Sequence, residues 1–113
     1  MSKSRMLELA EELLRRSKDG KVPWEKRSLG DSYEVKFPDI SLVISRLGNS
    51  YILNLVNAQG ATIESLVSER RTTPAAEVID YFPLLKEIFE LAQHQAQNVE
   101  ENIDKALEYL RRE

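Results

Sequence analysis

The sequence predicts an α+β fold: an N-terminal helix, a four-stranded antiparallel β-meander, then one or two C-terminal helices packed on one sheet face. Three observations carry that prediction. Apolar residues at three- to four-residue spacing open and close the chain. Between them, four short stretches alternate apolar and polar residues. The connections between those stretches carry the residues that tight antiparallel turns require. At 113 residues the chain suits a single domain over 1–113, with a helix in 1–20, the sheet in 32–67 and a C-terminal helical region in 80–112.

Residues 3–18 read as the first helix. Met6, Leu9, Ala10, Leu13 and Ser17 recur at helical spacing, and Leu7 and Leu14 widen the stripe. Glu11–Arg15 and Glu12–Arg16 sit in the favourable acid-first order four residues apart. Arg15, Arg16 and Lys18 crowd the last turn, and Gly20 supplies a left-handed stop. Residues 19–31 are a turn-rich connection holding the lone Trp24, which either anchors the loop on the core or presents an exposed contact aromatic.

The strands are expected at 32–37, 40–47, 50–57 and 61–67. A Pro38-Asp39 turn pairs Phe37 with Ile40, Val35 with Leu42 and Tyr33 with Ile44. Gly48-Asn49, with Gly first, pairs Arg46 with Tyr51, Ile44 with Leu53 and Leu42 with Leu55. Ala58-Gln59-Gly60 pairs Leu55 with Ile63. The three registers agree in placing Tyr33, Val35, Phe37, Ile40, Leu42, Ile44, Tyr51, Leu53, Leu55 and Ile63 on one face. A one-residue slip in any hairpin destroys that agreement. The opposite face is mostly polar and is expected to meet water. Val43, Ile52 and Val56 are its apolar exceptions, either chance exposure or a small contact patch.

Residues 68–76 read as a polar connection, with Thr73 and Pro74 as a candidate helix start. Asp80 is a candidate cap for the next helix, with Pro83 in its first turn. From Leu84 to Leu110 the apolar rhythm hardly falters. An unbroken helix over 83–112 would run roughly 45 Å, against roughly 20 Å for a six-residue strand. The alternative is a break near Gln97-Asn98, where Asn98 and Glu101 resemble a capping pair, and the reading leans to the break. Either way Val99, Ile103, Leu107 and Leu110 form a surplus stripe that must bury against the first helix or a second subunit.

Composition narrows the function classes. With 42% hydrophobic and 31% charged residues the chain is neither disordered nor low in complexity. The absence of cysteine excludes disulfides, thiolate zinc sites and a cysteine nucleophile. No apolar run approaches a membrane span. The opening Met1-Ser2-Lys3-Ser4-Arg5 leads into a Glu-rich amphipathic segment, so a cytoplasmic location without a secretory signal is expected. The net charge of −3 divides unevenly. Residues 1–27 hold 8 basic and 5 acidic groups, residues 28–73 hold 4 and 5, and residues 74–113 hold 4 and 9. The two ends could attract each other within a chain or across a homodimer.

Catalytic sets are hard to assemble. His94 is the single histidine, with Glu90 one helical turn before it, too small a ligand set for a metal. Glu87, Glu90, Glu100, Glu101, Asp104 and Glu108 spread along a helix face and form no paired cleft. No serine occupies G-x-S-x-G, and there is no phosphate-binding glycine loop. No catalytic residue, metal or cofactor is therefore expected. Basic residues 15–18, Lys21, Lys26-Arg27 and Arg70-Arg71 could converge on nucleic acid, but the strand aromatics fall on the core face. The amide run Gln93, Gln95, Gln97 and Asn98 is either simple exposure or a set of register-fixing polar positions.

The order GKVPWE, SYEVKFPDISLVISRL, SYILNLVNAQGATIESL and LLKEIFELAQHQAQNVEENIDKALEYL resembles small uncharacterised bacterial proteins of helix–meander–helix type. The resemblance covers residues 20–111 and implies a bacterial cytoplasmic protein with a break near Asn98. It carries no activity to transfer. The expected function is a protein-interaction or regulatory module without enzymatic activity, its partner another protein or a second copy. Its candidate interface residues are Val43, Ile52, Val56, Val99, Ile103, Leu107 and Leu110. A nucleic-acid-associated regulator is the alternative, and a metal- or carboxylate-dependent enzyme the third.

Overall fold

Turn chemistry builds the sheet. The computed structural model describes residues 5–28, 30–68, 71–72 and 78–112, apart from the side chains of 71–72, 78–79 and 98–100. Helix α1 spans Arg5–Lys18. It ends in a motif where Gly20, at φ +71°, donates its N–H to Ser17 O and Lys21 donates to Arg16 O, each at 3.1 Å. Strands β1 (Glu25–Lys26), β2 (Asp31–Lys36), β3 (Ile40–Leu47), β4 (Ser50–Asn57) and β5 (Thr62–Val67) follow as an antiparallel meander in sequence order. A small ribbon of β6 (Arg71–Thr72) and β7 (Val78–Ile79) precedes helix α2 (Phe82–Leu110).

The sheet thus has five strands, not the four expected. The extra strand β1 sets Glu25 opposite Glu34 and Lys26 opposite Tyr33. Two residues are too few for alternation to register in a sequence. Burial of the adjacent Trp24 holds them beside β2. Strand β6 likewise falls in the stretch 68–76 read as connection, with β7 just past its end, and the helix start expected at Thr73-Pro74 lies outside the described residues.

Two of the three predicted registers hold throughout. Tyr33 faces Ile44 and Val35 faces Leu42, while Leu42, Ile44 and Arg46 face Leu55, Leu53 and Tyr51. The third register shifts at a bulge between β4 and β5, so Leu55 faces Glu64 instead of Ile63. The loop itself behaves as read: Gly60 sits at φ +85°, and Asn57 Oδ1 accepts the N–H groups of Gln59 and Ala61 at 3.0 Å. Beyond the bulge, Leu66 faces Leu53 and is buried, while Ile63 is 55% exposed. The shift also brings Ser68 inward, where its N–H donates to Tyr51 O at 3.0 Å and its Oγ accepts the Tyr51 N–H at 2.8 Å.

Both helices cover one face of the sheet. Leu85, Ile88, Phe89, Ala92 and Ala96 of α2 meet Tyr33, Val35, Leu42, Ile44, Tyr51 and Leu53, with Met6, Ala10 and Leu13 of α1 packed beside them. The Phe89 ring lies 5.4 Å from Tyr33 and 5.3 Å from Tyr51. The cover stops short at the Pro38-Asp39 turn, where Phe37 is 46% exposed and Ile40 is exposed too, although both were placed on the core face.

Helix α2 runs unbroken for 29 residues, which overturns the break near Asn98. No Gly or Pro follows Pro83 to force one, and an asparagine within a helix costs well under about 1 kcal/mol. Asp80 Oδ1 accepts the Phe82 N–H at 3.1 Å at the helix start. The helix is about 44 Å long and overruns the sheet. The molecule measures 67 × 28 × 26 Å, and its radius of gyration of 16.4 Å exceeds the about 13 Å of a compact domain this size.

Candidate interaction surface

Among the described side chains of α2 the last buried one is Ala96, and from Glu101 to Arg112 every residue is exposed. The stripe expected to bury against α1 or a second subunit thus has no cover from α1 over Ile103, Leu107 and Leu110 among the described residues. Ile103 is 54% exposed, Leu110 75%, and Leu107 is exposed beside them. Side chain Val99 lies outside the described residues. Tyr109, which the sequence reading passed over, is exposed on the same stretch. Its ring lies beneath the Arg112 guanidinium, and Arg112 pairs with Glu108 at 3.1 Å.

A regular step underlies this stretch. Phe82, Leu85, Phe89, Ala92, Ala96, Val99, Ile103, Ala106 and Leu110 alternate steps of three and four along the helix. That is the 3.5-residue period of an apolar helix seam. The first five positions pack on the sheet and α1. Among the rest, Ile103, Ala106 and Leu110 continue the same line, and all three are exposed.

The second predicted patch fares differently. Val43, Ile52 and Val56 lie on the sheet face away from both helices, so the structure does not join them to the distal part of α2. Val43 is only 2% exposed and offers no contact surface, which corrects its assignment to the interface. It sits on a central strand between the longer Glu34 and Asn54. Ile52 is half-buried, and the bulge aligns Val67 with it, an apolar neighbour that an unbulged register hides. A concavity of about 420 Å³ opens on this face, with Val43 and Val56 among its lining and Arg27, Glu34, Lys36, Asp39 and Asn54 around them.

Four of the N-terminal basic residues, Arg15, Arg16, Lys18 and Lys26, are engaged locally. Glu12 accepts from Arg15, whose Nε lies at 3.1 Å, and from Arg16 at 3.3 Å. The Arg15 hydrogen bond above all holds the Glu12 carboxyl below its ordinary range, and Glu12 in turn raises Arg15. Lys18 pairs with Glu87 at 3.1 Å, and Lys26 donates to Gly30 O at 2.6 Å while lying 5.4 Å from the Tyr33 ring centroid. Arg70 and the Arg71 side chain lie outside the described residues.

His94 is exposed on α2, and it borders a small concavity with Gly20 and Gln95. Gln95 Nε2 donates to Gly20 O at 3.0 Å, so one amide of the run ties α2 to the end of α1. Gln93 is half-buried and Gln97 exposed. Among the described residues, no group of three or more His, Asp or Glu is placed to hold a metal ion. Nor is any helix among them long and apolar enough to cross a membrane. No known protein family, curated protein or solved structure matches the chain.

Proposed function

We propose that the protein is a non-enzymatic protein-interaction or regulatory module that self-associates through the distal half of α2. The observation behind this reading is the continuation of one apolar seam past the last described buried residue, with Ile103 and Leu110 of the seam and the adjoining Leu107 all exposed. A helical stretch of about 15 residues is marginal in water on its own, and exposed apolar stripes at regular spacing mark contact surfaces. The local ion pairs of Arg15, Arg16 and Lys18 and the hydrogen bond of Lys26 to Gly30 O weigh against the nucleic-acid alternative, which requires basic groups free to face phosphates.

Sedimentation velocity tests the reading. The wild-type chain is expected to associate between micromolar and millimolar concentration, and Leu107→Asp to weaken that association while leaving the fold intact. A strict monomer over the whole range refutes self-association.

A further inference from the structure

We infer that an apolar notch between α1 and the β2–β3 hairpin is a binding site for a small aromatic carboxylate. None of its lining residues belongs to α2, so the site is independent of self-association.

The notch follows from the way the core is closed. Helix α1 ends at Lys18, and Gly20 turns the chain so that Val22 and Pro23 lead into β1. The cover over the sheet stops short at the Pro38-Asp39 turn, where Phe37 remains 46% exposed. The space left between these elements is about 230 Å³. Buried Leu13, Val22, Val35 and Leu42 form its base, with half-buried Leu9 and exposed Phe37 beside them.

Size sets the apolar part of the ligand. An apolar cavity of about 150 Å³ holds benzene, so this larger notch takes a phenyl, indole or naphthyl ring. Such a ring takes the exposed surface of Phe37 out of water and meets it stacked or edge-on. A hollow of this size offers far less area than the about 1,600 Å² of a standard protein interface, which favours a small molecule over a protein.

Charge sets the polar part. The margin carries Arg16 and Lys21 against one acid, Glu12. That carboxylate is shared, because it pairs with Arg15 as well as Arg16. Asp19, the next acid along the chain, is outside the lining, and among the described residues no acidic side chain pairs with Lys21. A carboxylate carried next to the ring meets this surplus through charge-assisted hydrogen bonds, whereas an ammonium meets like charge. The larger concavity on the open sheet face has no such bias, since Arg27 and Lys36 there stand against Glu34 and Asp39.

Titration of the full chain with α-naphthylacetate, followed by amide NMR shifts, tests the site. Saturable shifts are expected at Leu9, Val22, Phe37 and Leu42, with a dissociation constant on the order of 0.1–1 mM. The uncharged α-naphthylacetamide should bind the wild type about twofold to fivefold more weakly. Arg16→Gln with Lys21→Gln should remove that difference by weakening the acid alone, and unchanged binding of the amide shows that the notch is intact. Equal affinities of acid and amide for the wild type overturn the carboxylate assignment. No saturable shift up to about 10 mM, or saturable shifts confined to another surface such as Asn54 and Val56, overturns the site. Sedimentation of the same samples reads self-association separately, so failure of either leaves the other standing.

Discussion

The indole N–H of Trp24 donates to Ser17 Oγ at 3.1 Å, and both residues are buried. This bond locks the loop after α1 to the last turn of the helix. It gives a polar residue its reason for standing in an apolar stripe. Ser17→Ala leaves the indole N–H buried without a partner, which costs about 1–3 kcal/mol. Urea unfolding should show a lower midpoint with an unchanged slope. An unchanged midpoint would mean that the bond contributes nothing net.

Phe89 is the hub of the core. Its ring meets Tyr33 and Tyr51, and the Arg46 guanidinium lies 5.3 Å from its centroid. Arg46 is itself held by Asp31 at 2.8 Å, and that hydrogen bond raises its already high pKa. Phe89→Ala should destabilise the fold by about 3–5 kcal/mol, the cost of removing a fully buried ring whose neighbours cannot all close in. Thermal and urea denaturation measure it. A loss under 1 kcal/mol would show that the sheet and α1 collapse into the space.

Much of this architecture is legible in the residues, and the exceptions share a cause. The registers through Pro38-Asp39 and Gly48-Asn49 follow from turn type and alternation together, so Ile44 and Leu53 fall opposite each other as read. Strand β1 escapes because two residues carry no period. The bulge at Ile63 escapes because either Ile63 or Leu66 satisfies alternation, and only tertiary packing chooses between them. Continuity at Asn98 turns on a propensity difference of well under about 1 kcal/mol, too small to end a helix that no Gly or Pro interrupts. Within the candidate surface, Ile103, Leu107 and Leu110 are readable as surplus once the helix outruns the sheet. The burial of Val43 is not, because it depends on which neighbours stand beside it across two strands.

Residues 101–112 are all exposed in the protomer, so under the proposed self-association their helicity should depend on concentration. Hydrogen exchange followed by mass spectrometry should find those amides weakly protected at low micromolar concentration and increasingly protected toward millimolar. Amides at 85–96 should remain protected throughout, because they lie under the sheet and α1. Leu107→Asp should abolish the concentration dependence in the distal segment alone. Equal protection of residues 101–112 at every concentration would mean that association, if any, does not use them.

The bulge makes opposite demands on two neighbouring residues of similar character. Ile63 is the extra residue of the irregular pair and is largely exposed, whereas Leu66 faces Leu53 and is buried. Ile63→Ala should therefore change stability by no more than about 0.5 kcal/mol, as surface substitutions do. Leu66→Ala should cost about 2–4 kcal/mol, since it empties a filled position beside the fully buried Leu53. Parallel urea titrations of the two variants decide the register. The reverse ranking would restore Leu55 opposite Ile63 and turn Ser65 inward where Leu66 now packs. That exchange would break the hydrogen bond that Ser65 Oγ donates to Asn54 Oδ1 on the open face. It would also turn Ser68 out of reach of Tyr51, so the bulge keeps two polar contacts as well as one apolar one.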